Sequence, residues 1–255
     1  MNQPFDLGEY IMHHASNSPE WHVPFLPPIK LPGFLSLHGL MLLFAGFFLI
    51  ILFVFLFDKK SRVPHGITNL LEVLVVFIRD DIVMNYLGEK DGKKMTPLFC
   101  TFFFFILMLN LMGLIPLFSS ATANFNVTGA LALVTFSFMV FGAIHRHGIM
   151  VFLKSFVPSG VPFPILVILV PIEFLGLFIK TFALMIRLFA NMLAGHIAIL
   201  SLLGLGVVVS LFVLPLILPI ALFISLLEVL VAFLQAYVFT LLSAVFIAQA
   251  YHPEH

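Results

Sequence analysis

Long unbroken runs of apolar residues, separated by short polar clusters, set the pattern of this chain. The first run, "HGLMLLFAGFFLIILFVFLF" (residues 38–57), stops at "DKKSR" (58–62). Residues 66–87 mix apolar positions with Glu72, Arg79, Asp80 and Asp81, an amphipathic pattern that predicts a helix lying in the membrane interface. "LGEKDGKK" (87–94) is expected to be a solvated loop. A second run covers 97–118, and a short "SSATAN" turn leads to a third at 127–144. That run ends at "HRHG" and the Pro/Gly-rich "VPSGVPFP". Two much longer runs follow, 164–203 and 207–251, which meet at "GLG" (204–206).

Each of the last two runs, if helical and straight, is about 60 Å long at a rise of 1.5 Å per residue. The hydrocarbon core of a bilayer is only about 30 Å thick. Nothing polar enough to form a turn interrupts the run at 164–203, so each is expected to be one long, strongly tilted helix. Pro215 and Pro219 start or kink the second. The fold class is therefore an all-α integral membrane protein. It has about five transmembrane helices plus one interfacial amphipathic helix. Residues 1–37 form a polar tail outside the membrane, and 38–255 form the membrane domain.

Composition strengthens this reading. Of 255 residues, 62% are hydrophobic and 9% are charged, which no soluble domain of this size matches. The runs are continuous rather than alternating, which argues against a β-barrel. A net charge of zero gives no reason to expect nucleic acid. Cys100 has no second cysteine to pair with. Residues 1–33 lack the basic start and apolar core of a signal peptide. His13, His14 and His22 lie in that tail, but an adjacent pair with a loose third does not make a tight ligand set, and neither metal nor cofactor is expected. Seven of the twelve Lys/Arg lie between residues 58 and 97, and Arg146 and Lys154 follow the third run, whereas Lys30 lies on the other side. With five crossings this puts the N-terminus outside and the C-terminus inside.

The unexpected feature is "TFALMIRLFANMLAGHIAIL" (181–200), an apolar segment with an arginine near its middle. A guanidinium in hydrocarbon is costly and stays charged at any pH a cell tolerates. Glu173, Lys180 and Arg187 are spaced by seven. A step of seven turns about 700°, close to two full turns, so the three share one side of a helix and Asn191 extends the stripe. The following run carries Glu228 and Gln235, again seven apart. His196, nine residues beyond Arg187, falls on roughly the opposite side and about 13 Å further along. It is placed to pair with Glu228 on the neighbouring helix, or to be a packed core histidine. Lys180, near an interface, has snorkelling as its structural alternative.

A fixed cation between two hydrated pockets, open to opposite sides, has a definite consequence. A carboxylate carried by a moving partner loses its proton as it nears Arg187, because a neighbouring cation favours the charged form. The same cation repels a free proton. His196, Glu228, Gln235 and Asn191 keep water in the pockets, and His196 with Glu228 can exchange protons near neutral pH.

Several of these segments resemble subunit a of the F-type ATP synthase. The resemblance rests on "RLFANMLAGH" (187–196), "LEVLVAFLQAYVFTLL" (227–242), "NLMGLIP" (110–116), "TANFNVT" (122–128) and "FVPSGVP" (156–162). It covers about residues 98–255, and more weakly the region from 38. It implies a proton-translocating stator subunit with two aqueous half-channels against a ring of c subunits, working with b-type peripheral stalk subunits inside the whole synthase complex. By this resemblance Arg187 matches the essential arginine, and Asn191 and Gln235 match polar positions beside it. Glu173 and Lys180 match the pathway to the cytoplasmic side, and His196 and Glu228 an acid/base pair on the opposite pathway. Gly113 stands where some members carry aspartate, and Thr181 where proline is usual, with local bending expected to differ. A bacterial inner membrane is the expected location, with the mitochondrial inner membrane as the alternative.

The chain is not expected to be an enzyme itself, since it has no GxxxxGK[ST] phosphate loop for ATP chemistry. The competing readings are a self-contained secondary transporter and a membrane scaffold without transport. A transporter predicts internal repeats, and no convincing repeat relates the halves. A scaffold requires Arg187 merely to be bonded to backbone carbonyls.

Overall fold

The computed structural model describes residues 20–21, 29–30, 32, 36–56, 66–115, 118–157, 162–209 and 214–251. The tail histidines His13, His14 and His22, the "DKKSR" cluster and residues 158–161 of the "VPSGVPFP" break lie outside the described residues.

The described chain is almost entirely helical. Helix α1 spans Leu37–Ile51 and is prolonged by a π-helical turn, Leu52–Leu56. Its start is capped by Ser36, whose Oγ accepts from the Gly39 N–H at 3.2 Å. Helix α2 is Ile67–Phe77, continued by a π-helical stretch, Ile78–Met84. Helix α3 is Asn85–Gly113, α4 is Phe125–His147 and α5 is the short Ile149–Lys154. Helix α6 spans Phe163–Val209 and α7 Leu214–Tyr251. A two-residue antiparallel ribbon, β1 (Glu20–Trp21) with β2 (Ile29–Lys30), is the sheet among the described residues and adds local order to the expected tail.

Among the described residues, five segments are long and apolar enough to cross a bilayer: Leu37–Phe55, Ile67–Gly113, Phe125–His147, Pro164–Leu202 and Pro215–Tyr251. The count and the two single long helices agree with the sequence. At 1.5 Å per residue α6 is about 70 Å long and α7 about 57 Å. Pro215 lies in the first turn of α7, where a missing N–H costs nothing.

Two boundaries differ from expectation. Residues 89–94, read as a loop, are helical. Gly88, at φ 76° and ψ 171°, makes the break alone, and only glycine takes that conformation cheaply. Glu89 and Asp91 then fall at the start of a new helical run, where its dipole favours carboxylates. Glu89 also pairs with Lys93 one turn on. Likewise, "GLG" does not separate the long helices, because α6 continues to Val209. Two glycines' worth of backbone entropy costs too little to end a helix that apolar packing extends.

The chain folds as two units. The first comprises Met1–Leu56, Phe104–Val127 and Leu188–Ala236. In it, Leu37, Met41 and Ala45 of α1, spaced one turn apart, bury against Leu109, Met112 and Ala121. Phe53 meets Phe104 edge to face at 5.0 Å. Gly113 leaves no room for a larger side chain, since a Cβ there would lie 2.9 Å from Ser120 Oγ and 3.1 Å from Met192 Cε.

The second unit comprises Phe57–Phe103, Thr128–Arg187 and Tyr237–His255. Phe99, Phe102, Phe103 and Phe239 are buried together, with Phe102 and Phe239 at 5.6 Å. Small residues on α7 permit close helix packing, and Ser243 hydrogen-bonds Thr135 at 3.1 Å. At the end of α7, Tyr251 is held by its carbonyl, which His147 Nε2 meets at 2.7 Å, and by Arg146 over its ring. Arg146 in turn pairs with Asp91. Gly142 touches the Tyr251 phenol so closely that a Cβ would overlap it. Gly142→Ala is therefore expected to destabilise this unit by ~1–3 kcal/mol, the cost of overpacking. The check is the thermal loss of the detergent-solubilised complex, and an unchanged midpoint would show that the ring moves aside freely.

Candidate functional site

The polar side chains of α6 and α7 sit on helices whose apolar surface is largely uncovered. The most apolar stretch of α6 has none of its residues buried within the chain. Ile168, Ile172 and Ile179 on α6 and Leu222, Phe223 and Leu226 on α7 are all exposed. A membrane helix presents such a face to lipid or to another membrane helix.

In the second unit, Glu173 and Lys180 line one cavity of about 650 Å³. Its other polar walls include Tyr86, Ser155 and Gln249. Lys180 Nζ donates to Gln249 Oε1 at 3.0 Å and lies 5.6 Å from the centre of the Phe246 ring. Lys180 thus has a specific partner. Thr181 Oγ1 donates to the Leu177 carbonyl at 3.0 Å. That is the carbonyl a proline at 181 would leave without its helical N–H, so threonine keeps the helix closed where proline would open it.

Arg187 is the last residue of α6 assigned to the second unit. Its side chain is half-buried, and Nη1 is buried with no hydrogen-bond partner among the described residues. A buried donor on a permanent cation is expensive to leave unmatched.

In the first unit, Asn191 Nδ2 donates to Gln235 Oε1 at 2.7 Å. Gln235 is itself buried, and its Nε2 has no partner among the described residues. The Glu228 carboxyl lies directly against Gly195, so that a Cβ on Gly195 would overlap it. Glu228 is thereby brought beside the residue preceding His196. No direct hydrogen bond joins the two, and the buried Glu228 Oε2 accepts none among the described residues.

Two residues were not singled out from the sequence. Gln249 lies fourteen residues after Gln235 and twenty-one after Glu228, so the spacing of seven on α7 carries its signal. Gly195 had no such signal, because what requires glycine there is a carboxylate from a helix 33 positions away.

Residues 39–248 match the ATP synthase A chain family. The chain is similar to ATP synthase subunit a of Chloroherpeton thalassium, at 45% identity over 96% of this chain and 77% of that protein. It is 42% identical to ATP synthase subunit a of Chlorobium phaeobacteroides over 94% of this chain and 75% of that one. With the Anaeromyxobacter dehalogenans strain 2CP-C protein of the same name the identity is 48%, over 82% of this chain but only 56% of its longer relative. With an apolar-faced helix whose arginine keeps a buried donor unmatched among the described residues, and a family match over most of its length, the chain belongs to the ATP synthase A chain family, the proton-translocating subunit a of the synthase membrane sector.

Proposed function

We propose that the chain conducts protons through two aqueous half-channels and forces them onto a ring of c subunits, with Arg187 as the barrier between the pathways. The observation that carries this is the buried, unpartnered Nη1 of Arg187. A permanent cation with a buried donor unmatched among the described residues calls for a carboxylate from outside the chain, and a rotor helix passing the uncovered face of α6 and α7 supplies one. As each carboxylate nears Arg187 it gives up its proton, since the cation favours the ionised form. Once past, it takes a proton from the other pathway and turns back into lipid neutral.

Glu173, Lys180 and Gln249 form the polar wall of the cytoplasmic pathway. Asn191, four residues after the arginine in sequence, and Gln235 hold each other, and His196 with Glu228 serves the opposite pathway through water. Each charge crossing the membrane releases about 2.3 kcal/mol per 100 mV. The chain performs no ATP chemistry, and b-type stalk subunits hold it against the torque of the rotor. The membrane is a bacterial inner membrane, with the N-terminal tail outside, residues 66–84 along the cytoplasmic interface and both long helices strongly tilted.

Cysteines placed singly at 173, 249, 196 and 228 test the two-pathway arrangement in oriented vesicles. A membrane-impermeant thiol reagent is expected to reach 173 and 249 from the cytoplasmic side and 196 and 228 from the other. Labelling of all four from one side would sink the two-channel reading.

A further inference from the structure

Asn110, in the last turn of α3, has no exposed surface. Both ends of its amide are engaged. Thr122 Oγ1 donates to Oδ1 at 2.8 Å, and Nδ2 donates to the backbone carbonyl of Ala232 on α7 at 3.3 Å. Thr122 is equally buried, within the 3₁₀ turn Ala121–Ala123. All three residues belong to the first unit.

The place of the acceptor is informative. Ala232 lies four residues after Glu228 and three before Gln235. Those steps turn about 400° and 300°, so Ala232 shares the side of α7 that carries both polar groups. Ala232 is itself fully buried, and its short side chain lets the amide reach the backbone. A side-chain bond to a helix carbonyl resists rotation of the helix about its axis, which an apolar contact resists poorly. The Ala232 carbonyl can only accept, so Nδ2 must point at α7, and the second bond, donated by Thr122 Oγ1 to Oδ1, holds the amide in that orientation.

We propose that Asn110 is a positioning residue for proton translocation. Oriented by Thr122, it sets the rotation of α7 so that Gln235 meets Asn191 and Glu228 meets Gly195. This rests on the assignment of Glu228 and Gln235 to the proton pathway. Asn110 takes no proton itself, because a carboxamide does not titrate at any pH a cell tolerates.

The test uses the assembled synthase in membrane vesicles, with three variants: Asn110→Leu, Thr122→Val and Thr122→Ser. Two quantities are read in each. One is ATP-driven proton pumping per assembled complex. The other is the yield of a short bifunctional thiol cross-link between cysteines placed at 191 and 235, in a Cys100→Ala background. Asn110→Leu is expected to lower pumping about tenfold to a hundredfold, the scale of a misplacement near 1 Å, and to lower the cross-link several-fold. Thr122→Val moves both quantities the same way to a smaller extent, and Thr122→Ser, which keeps the hydroxyl, restores both. If Asn110→Leu does not assemble, the valine and serine pair decides.

Unchanged pumping and cross-linking overturn the proposal. So does reduced pumping with an unchanged cross-link, which would mean Asn110 acts without turning α7. A changed cross-link with normal pumping also overturns it, and places the error in the assignment of the α7 stripe to the pathway rather than in the geometry.

Discussion

Replacing Arg187 by alanine is expected to abolish ATP-driven proton pumping, a fall of at least about a hundredfold, the scale seen when one preorganised charge is removed from a site. The complex should remain assembled. Only one terminus of the guanidinium is buried without a partner, and no hydrogen bond within the chain depends on it among the described residues. Without the cation, nothing drives a passing carboxylate to release its proton and nothing stops a proton from crossing directly. Passive proton leak through the membrane sector should therefore rise as pumping falls. Arg187→Lys should recover little, because an ammonium is a compact and strongly hydrated charge that lacks the planar fork. Pumping is read from fluorescence quenching in inverted vesicles, and assembly from the ATPase recovered with the membranes. Preserved pumping would remove the basis for the mechanism, and loss of the whole complex would favour a scaffold role.

The second large effect concerns His196 and Glu228. Alanine at either position is expected to reduce pumping by about a hundredfold, the lower end of what a positioned acid or base contributes. Exchanging them, as His196→Glu with Glu228→His, should restore a substantial part. The geometry explains why an exchange is tolerable. The carboxyl of Glu228 rests on Gly195, beside His196, without a direct bond. On the proposed relay a proton passes between the two groups through water, which can bridge groups that make no direct hydrogen bond. A double exchange no better than the worse single change would show that the two act independently.

The period of the sequence is a property of one helix at a time. It was sufficient to find five apolar segments long enough to cross a bilayer, and to show that α6 and α7 are too long for an upright crossing. These conclusions need only the helical repeat and the thickness of the bilayer. Where a single residue carries a conformation that others cannot adopt, as Gly88 does at φ 76°, the boundary moved, because a polar cluster and a helical turn can have the same composition.

What one helix presents to another is not periodic, and only the tertiary structure settled it. Lys180 finds Gln249 across 69 positions of sequence, Asn191 finds Gln235 across 44, and Asn110 finds the Ala232 carbonyl across 122. The choice of a backbone acceptor at Ala232 leaves no mark on residue type at all. The need for glycine at 195 arises from a carboxylate that packs there from α7. The sequence by itself determined that Arg187 lies within a long apolar helix. The packing of helices, governed by shape and by the demand that buried polar atoms find partners, decided which polar groups are satisfied within the chain and left Arg187 Nη1 without a partner among the described residues.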